Sequence, residues 1–510
     1  MQGLREWLVH NDVFIDDRLG VQRCSDGSAL VVALAPIPPR TTVATIPKSL
    51  CLSHRSSSLA SDLDLASLDD VSPNIRLAVH VAHEIACGQT SRWAIYLDHC
   101  PRRPVPIGAL WDRDADGKAL RWLRGTRAAR ELASSGEDKT RLISWFDAFT
   151  RKLRINSAVA ALSVDDFLHG YSLVSSRAFH VDAYHTLALV PLADIFNHSD
   201  TPHVHLASDH WVCPACGTLR ECSHDEQGGG SAVGADHDLT GGNDTCDMVT
   251  ELDVFAGEEV YNTYGRLSNG RLLASYGFTL EGSEQDEILI DQSLVAEAVR
   301  RQFGDVRDLG AEARTGSLWK FRDPTLSYLA DALAQHPLVV WDRDQAKLSI
   351  DADGRISIGF FVLASSLFLG AQRGSGSEHP GMSCSPDDPL ALLVELLEIA
   401  EARFEASEDT VPDRRHTGNL EEHLRQIALV IHRACTAYVE RQERPELDCE
   451  ELLDMADSLS GEGECAKQEL ALRYLAGERL LVQRTATQWL FSAEIRCKAE
   501  ERIDCKGREV

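Results

Sequence analysis

The fold is decided by four short strings: SSRAF at residues 175–179, PLADIFNHS at 191–199, GEEVYNTYG at 257–265 and NGRLLASYGF at 269–278. They lie in a strand-like, turn-rich part of the chain that runs from residue 171 to 278. Each string contains polar or aromatic side chains that can bind a ligand or take part in a reaction. This segment therefore holds most of the functional information.

The flanking regions predict a mixed architecture. Apolar, β-branched runs at 30–34 and 42–46, separated by PIPP at 36–39, predict a small sheet near the N-terminus. Spacings of three and four between Ile75, Val79 and Ala82 predict that helices dominate residues 62–168. Further helices are expected at 358–371, 390–402, 420–441 and 468–488.

The composition is that of an ordinary globular protein. The chain has 510 residues, of which 44% are hydrophobic and 25% are charged, and its net charge is −28. A strongly acidic surface disfavours direct binding of nucleic-acid phosphates and favours a basic protein partner. We see no secretory signal and no apolar run long enough to span a bilayer. The 14 cysteines then indicate a reducing compartment, so we expect a cytoplasmic or nuclear protein that does not bind membranes.

Together, in this order, the four strings resemble the SET-domain protein methyltransferases, in the subgroup that contains the Rubisco large-subunit lysine methyltransferase and its nuclear and ribosomal-protein relatives. Two strings outside the central segment, WAIYL at 93–97 and LRGT at 123–126, extend the resemblance. The resemblance implies an α+β chain with a β-rich SET fold, a pseudoknot-like crossing near the end of the SET domain, an inserted helical region and a helical substrate-binding domain.

The expected domains follow from this architecture. Residues 1–61 and 169–283 would form the two parts of the SET domain, and 62–168 the inserted helical region. A Cys- and Gly-rich insertion is expected at 207–247, with a mobile loop at 227–244. Residues 284–510 would form the helical substrate-binding domain.

The resemblance implies transfer of a methyl group from S-adenosylmethionine (AdoMet) to a lysine of a protein. A lysine with a reference pKa of about 10.4 must lose its proton first, which costs roughly 4–5 kcal/mol at pH 7. An aromatic channel that excludes water and aligns the amine suits this reaction. Tyr264 is the catalytic candidate, and Tyr276 and Phe179 are expected to line the channel. A packing role is the alternative for both tyrosines.

The resemblance also assigns a set of residues to AdoMet. Asn197 and His198 would hold its amino-acid end and fix the crossing of the chain, with Asp194 as a supporting acceptor. The family arginine near the cofactor carboxylate corresponds to Arg177, for which a surface ion pair is the alternative. Phe278 would stack on adenine or serve as a core residue. Many relatives carry Gly-x-Gly near the N-terminus, whereas DRLGV at 17–21 offers only Gly20 for close backbone approach.

Phe179 bears on the target residue. The resemblance includes actin-histidine methyltransferases, which carry an asparagine at this position to bond the imidazole. A phenylalanine would leave that imidazole nitrogen without a partner, whereas it packs well on the aliphatic stem of lysine. Lysine is therefore favoured. Protein-histidine methylation and a non-catalytic SET-fold recognition module are the two alternative functions.

A cysteine cluster predicts a structural zinc ion. CPACG at 213–217 is a knuckle-like C-x-x-C, and Cys222, His224 and Cys246 follow it. Zinc takes four nitrogen or sulfur ligands. Cys213, Cys216 and Cys222 would supply three, with Cys246 as the fourth or His224 in its place. A set of reduced loop thiols is the alternative.

The substrate is expected to be a protein of basic character, such as a ribosomal protein, a histone or cytochrome c. The acidic net charge is compatible with all three.

Overall fold

The structure, a computed structural model, describes residues 2–24, 29–61, 68, 70–112, 115–153, 158–209, 211–219, 221–224, 244–304, 330, 333–344, 346–374, 389–405, 418–459, 461 and 463–506. These residues form two compact units. The first comprises Met1–Ala115, Glu131–Leu267 and Arg271–Leu280, and the second comprises Asp116–Arg130, Ser268–Gly270 and Glu281–Val510.

The helices of the described residues are α1 (Gln2–His10), α2 (Pro73–Ala86), α3 (Ala94–Leu97), α4 (Gly117–Trp122), α5 (Arg127–Ser134), α6 (Lys139–Thr150), α7 (Val164–Arg177), α8 (Asn269–Tyr276), α9 (Gln292–Phe303), α10 (Ile358–Gly374), α11 (Pro389–Glu405), α12 (Gly418–Glu440), α13 (Cys449–Asp457) and α14 (Glu464–Lys506). The strands are β1 (Phe14–Ile15), β2 (Leu19–Arg23), β3 (Ala29–Ala33), β4 (Thr42–Pro47), β5 (Leu52–Ser53), β6 (Ala178–His180), β7 (Leu187–Leu189), β8 (Val204–Ser208), β9 (Thr245–Thr250), β10 (Glu287–Leu289), β11 (Val339–Val340), β12 (Ser349–Asp351) and β13 (Ile356–Ser357).

Three small antiparallel sheets organise the first unit, with strand orders β1-β4-β9-β8, β2-β3 and β5-β7-β6. Side chains alternate along β9, where Cys246, Met248 and Thr250 are buried and the residues between them are partly exposed. Alternation of this kind lets one face of a strand enter the core while the other meets solvent. Met248 lies opposite Ala44 on one side and Leu206 on the other.

Helices α2 and α7 pack closely because a glycine lies at their contact. A Cβ at Gly170 would come within 2.6 Å of the Ala78 carbonyl oxygen. Helix α7 begins at a capping box, in which the Ser163 and Asp166 side chains each accept a hydrogen bond from the other residue's backbone N–H. It ends at Arg177, and β6 follows without a loop. The helix and the strand therefore fix the position of Arg177.

The chain crosses itself at residues 257–265, which we call the crossing segment. On one side, Val260 N–H donates to the Val31 carbonyl at 2.7 Å. On the other side, Asn262 N–H donates to the Asn197 carbonyl at 2.8 Å. The segment thus lies between β3 and the loop that follows residue 196, and this is the pseudoknot-like crossing that the family resemblance implies.

The second unit combines a four-stranded sheet, of order β10-β12-β13-β11, with α9 to α14. Phe360, Phe361 and Trp489 are among the side chains fully buried in its core. A buried carboxylate, Glu478, accepts hydrogen bonds from Tyr474 at 2.6 Å and from the Arg127 N–H at 2.8 Å. Burial raises the pKa of Glu478 to about 7, against the effect of these hydrogen bonds.

Several local predictions agree with these elements. The runs at 30–34 and 42–46 form β3 and β4, and the expected helix at 358–371 is α10. The α+β class is confirmed. Residues 116–130, which the sequence assigns to the inserted helical region, group with the second unit. No helix within the described ranges combines the length and apolarity needed to cross a bilayer.

Candidate active site

Tyr264 lies at the centre of a row of aromatic rings in the first unit. Its ring stacks on His198 at a centroid distance of 5.0 Å and on Tyr276 at 5.0 Å. Tyr276 in turn meets the edge of Phe278 at 6.3 Å. The structure therefore brings together four of the residues that the sequence singles out, and we call them the aromatic row.

The hydroxyl group of Tyr264 has a fixed orientation. It donates a hydrogen bond to the Phe196 carbonyl at 3.1 Å. Burial raises the pKa of Tyr264 to about 12, so the hydroxyl keeps its proton at physiological pH. Since its one proton points to Phe196, the oxygen lone pairs remain available to accept a hydrogen bond.

Tyr276 and Phe278 are joined by a glycine that the local geometry requires. Gly277 has a φ of +81°. A Cβ there would approach the carbonyl carbon and oxygen of Pro106 to 3.0 Å. Because L-residues rarely adopt this backbone and the space is filled, glycine is needed to direct the two rings.

His198 joins the two parts of the crossing. Its Nδ1 accepts a hydrogen bond from the Tyr264 N–H at 3.2 Å, so the neutral ring carries its proton on Nε2. Burial lowers the pKa of His198 below its usual value, and the ring is therefore neutral at pH 7. The imidazole thus holds the backbone of Tyr264 without contributing a charge.

Asn197 precedes this histidine and is exposed. Its side-chain amide donates to Glu259 at 2.7 Å, which leaves the amide oxygen to accept from a ligand. Asn262, in the crossing segment, donates its backbone N–H to the Asn197 carbonyl. The side-chain amide of Asn262 is buried without a hydrogen-bond partner among the described residues. A buried polar group of this kind is usually satisfied in the native protein, and a bound ligand is one way to satisfy it.

Arg177 and Asp194 form an ion pair inside the protein. One guanidinium nitrogen, Nη1, lies 3.1 Å from Asp194 Oδ2 and donates to the Asp194 carbonyl at 2.9 Å. The Tyr96 hydroxyl donates to the same carboxylate oxygen at 2.9 Å. Burial raises the pKa of Asp194, against the opposite effect of Arg177. The pair is thus buried on the carboxylate side, unlike the surface ion pair that the sequence left as the alternative.

The remaining predicted residues lie on strands. Gly20 is in β2 opposite Val32, and a Cβ there would come within 2.9 Å of Leu34 Cδ2, so its space is partly taken by a neighbouring side chain. Phe179 is in β6 opposite Ala188, half-buried against the core of the first unit.

Sequence reasoning missed Tyr96 and Glu259 as individual site residues. Tyr96 lies in WAIYL and Glu259 in GEEVYNTYG, but Tyr96 is separated from Asp194 by 98 positions and Glu259 from Asn197 by 62. Local patterns carry no information about contacts over such separations.

The cysteine cluster forms a second group of polar side chains. Cys213, Cys216, Cys222 and His224 lie close together, with one potential ligand atom of each within 4.8 Å of the others. Cys246 is not in this group. It lies on the buried face of β9, where its thiol is hydrogen-bonded to that of Cys51. The structure therefore places His224, the alternative fourth ligand, beside the three cysteines, and Cys246 apart from them.

Sequence comparisons find related methyltransferases. The chain is 28% identical over 345 residues to ribosomal lysine N-methyltransferase 3 of Saccharomyces cerevisiae, covering 54% of this chain and 61% of that protein. It is 29% identical over 150 residues to the chloroplastic Rubisco large-subunit N-methyltransferase of Pisum sativum, covering 27% of this chain and 26% of that protein. The chain thus spans about three fifths of the yeast protein's length. No protein-family profile matches it.

Solved structures show the same fold. The structure of Rubisco LSMT bound to AdoMet matches with a TM-score of 0.54 at 15% identity, covering 97% of this chain and 92% of that one. The SET domain of LSMT bound to methyllysine and AdoHcy matches with a TM-score of 0.54 at 16% identity, covering 100% and 96%. The fold and the sequence similarity together confirm the resemblance of this chain to the SET-domain methyltransferases of the Rubisco large-subunit lysine methyltransferase subgroup.

Proposed function

We propose that the chain is an AdoMet-dependent protein-lysine N-methyltransferase. The observation that carries this proposal is the fixed hydroxyl of Tyr264 within the aromatic row, directly beside the Asn197-His198 loop. A narrow aromatic site with one oriented oxygen acceptor suits an amine that must lose its proton and then be aligned. The yeast and pea relatives, both named as N-methyltransferases, support the same activity.

The proposed reaction needs little from the protein beyond desolvation and alignment. AdoMet, when bound, supplies an electrophilic methyl carbon on sulfur. The lysine ammonium first gives its proton to solvent, which costs roughly 4–5 kcal/mol at pH 7. Its nitrogen lone pair then forms the bond to the methyl carbon while the carbon–sulfur bond breaks, and the electron pair stays on sulfur. The Tyr264 oxygen accepts a hydrogen bond from the amine and so directs the lone pair towards the methyl group.

The residues present fit the cofactor. AdoMet has a charged amino-acid end and an aromatic adenine. The Asn197 amide oxygen and the buried, unpartnered Asn262 amide can bond the first, and the edge of the aromatic row at Phe278 can pack against the second. Arg177 acts in this scheme through Asp194, which it holds in place.

Titration calorimetry with AdoMet on the full chain tests the cofactor half of the proposal. We expect one molecule bound per chain. An absence of binding would favour the recognition module over an enzyme.

Asn197→Ala should weaken AdoMet binding. A hydrogen bond to a charged group contributes about 1.5–3 kcal/mol, which corresponds to roughly a 10- to 160-fold rise in the dissociation constant. Thr201→Ala, an exposed position on the same loop, is the matched control and should bind AdoMet normally. An unchanged dissociation constant for Asn197→Ala would remove this residue from the cofactor site.

The rate should rise with pH. Below a reference pKa of about 10.4, the neutral fraction of the target lysine grows roughly tenfold per pH unit. The pKa of Tyr264, at about 12, lies above the range, and that of His198 lies below its usual value, so neither adds a titration between pH 7 and 9. We expect kcat/KM at saturating AdoMet to rise throughout this interval when the chemical step is limiting. A decline with a midpoint inside it would mean that an enzyme group titrates there.

The substrate and the compartment extend the proposal. We propose a basic protein substrate in the cytoplasm or nucleus, such as a ribosomal protein, a histone or cytochrome c. A net charge of −28 supports the basic partner because opposite fields speed association. The described cysteines form no disulfide bonds with one another, which is compatible with a reducing compartment.

A further inference from the structure

We propose that Cys213, Cys216, Cys222 and His224 form a structural zinc site that fastens the connection between β8 and β9 to the turn between β6 and β7. The four side chains come from a short stretch that has little apolar material of its own. Small segments that cannot build a core are commonly stabilised by a metal ion.

The distances between the ligand atoms match a tetrahedral ion. Zn–S bonds of about 2.3 Å and Zn–N bonds of about 2.0–2.1 Å place neighbouring sulfurs about 3.8 Å apart and sulfur and nitrogen about 3.6 Å apart. In this structure Cys216 Sγ and Cys222 Sγ are 3.7 Å apart. His224 Nδ1 is 3.7 Å from Cys213 Sγ and 3.6 Å from Cys222 Sγ. These three of the six separations thus match the edges of a zinc tetrahedron, and all six are within 4.8 Å.

The backbone of the CPACG string forms a metal-binding knuckle. The Gly217 N–H donates to the Cys213 carbonyl at 2.8 Å, and the Cys213 N–H donates to the Thr218 carbonyl at 3.0 Å. The N–H groups of Ala215 and Cys216 point at the Cys213 sulfur. These hydrogen bonds close a single tight turn, which brings the two knuckle thiols to one side.

Two other arrangements of these groups fit less well. A disulfide needs sulfurs about 2.0 Å apart, far closer than the 3.7 Å between Cys216 and Cys222. Cys246 as a ligand would have to leave the buried face of β9 and its contact with Cys51. Four protein ligands also leave no open position for a reacting water, which indicates a structural ion.

The knuckle rests on the turn between β6 and β7. A Cβ at Gly217, whose φ is +75°, would come within 2.9 Å of Tyr184 Cδ1, so the backbone of the knuckle lies directly on the Tyr184 ring. Tyr184 meets the edge of His185 at 5.0 Å, and His185 is hydrogen-bonded to Asp182 at 3.1 Å. This turn leads back to β6, which carries Phe179.

The two ends of the same connection are tied to one buried lysine. Lys48 Nζ donates to the Asp209 carbonyl, just after β8, at 2.8 Å. It also lies 3.5 Å from the carboxylate of Asp244, just before β9, and 2.9 Å from that of Asp182 in the turn. Lys48 thus holds one end by a hydrogen bond and the other by an ion pair, and the proposed metal would hold the knuckle between them.

Metal analysis of the purified full chain tests the site. After dialysis against a weak chelator we expect one zinc per chain, and we expect Cys216→Ser and His224→Ala to lose it. Cys24→Ser is the matched thiol control and should keep it, as should Cys246→Ala. Zinc well below one equivalent in the wild type, or zinc lost in Cys246→Ala and kept in His224→Ala, would overturn the ligand set.

A second measurement does not depend on whether the variants fold. Cobalt added to the zinc-free wild-type chain should give the absorption bands of tetrahedral, thiolate-bound Co²⁺, and zinc should abolish them. Removing zinc should also speed amide exchange in residues 181–186 while α10 is unchanged. A cobalt spectrum without thiolate bands would contradict the proposal. Equal amide exchange rates in residues 181–186 with and without zinc would also contradict it.

Discussion

Replacing Tyr264 by phenylalanine should lower kcat for methyl transfer by about 100-fold or more, with AdoMet affinity changed by less than about threefold. The variant keeps the ring between His198 and Tyr276 and loses only the oxygen that is held by the Phe196 carbonyl. Because that oxygen is proposed to direct the amine, its loss acts on the reaction and leaves the cofactor contacts in place.

Tyr171→Phe is the matched control. It also removes a hydroxyl group from a buried tyrosine, one that donates a hydrogen bond to Glu137 in the first unit and lies outside the aromatic row. We expect turnover close to wild type for this variant. Near-normal turnover of Tyr264→Phe, measured beside it, would remove Tyr264 from the reacting centre.

The second large effect should follow from replacing Lys48 by alanine. Its side chain is fully buried, and its ammonium group pairs with the buried carboxylate of Asp182 at 2.9 Å. Removing one partner of a buried pair leaves an uncompensated charge, which destabilises proteins by about 3–5 kcal/mol. We expect the free energy of unfolding of the first unit to fall by this amount. Amide hydrogen exchange in β4 and β9 measures it.

A double variant separates charge from packing. Lys48→Met combined with Asp182→Asn removes both charges and should be more stable than Lys48→Ala alone. A loss below about 1 kcal/mol in Lys48→Ala would mean that the pair does not stabilise the native state.

The same pair predicts the direction of acid sensitivity. Burial alone would raise the pKa of Asp182, but hydrogen bonds from His185 and Lys48 lower it below its usual value. A carboxyl group whose folded pKa is lowered stabilises the protein fully above its unfolded pKa of about 3.9, and this contribution is lost as the pH falls towards the folded value. The wild type should therefore lose this contribution in acid, and the Asp182→Asn double variant should not.

Local patterns predicted the elements that hold the site. Apolar, β-branched runs predicted β3 and β4, helical spacing predicted α2, and the apolar run at 358–371 predicted α10. These elements depend on residues close together in the sequence, for which hydrophobic periodicity and helix or strand propensity are informative. The contacts between Arg177, Asp194 and Tyr96 depend on the tertiary fold, and the sequence alone did not predict their pairing.

In the cysteine cluster, too, local sequence patterns predicted part of the site and the tertiary fold determined the rest. The C-x-x-C string and Cys222 could be grouped from their spacing, but His224 and Cys246 were equally available as the fourth ligand. Residues 245–250 alternate in burial, which directs Cys246 into the core with Met248 and Thr250. Recognising that alternation in TCDMVT would have favoured His224. The expected mobile loop at 227–244 lies outside the described residues except for Asp244.

Transfer of labelled methyl groups from AdoMet to a proteome that lacks this protein is the most direct test of the central claim. Mass spectrometry of the labelled proteins then identifies the modified atom. We expect label on a lysine side-chain nitrogen with the wild-type chain and a loss of that label with Tyr264→Phe. Label on histidine would contradict the proposed lysine methylation. So would the absence of label in both cytoplasmic and nuclear fractions when the chain itself binds AdoMet.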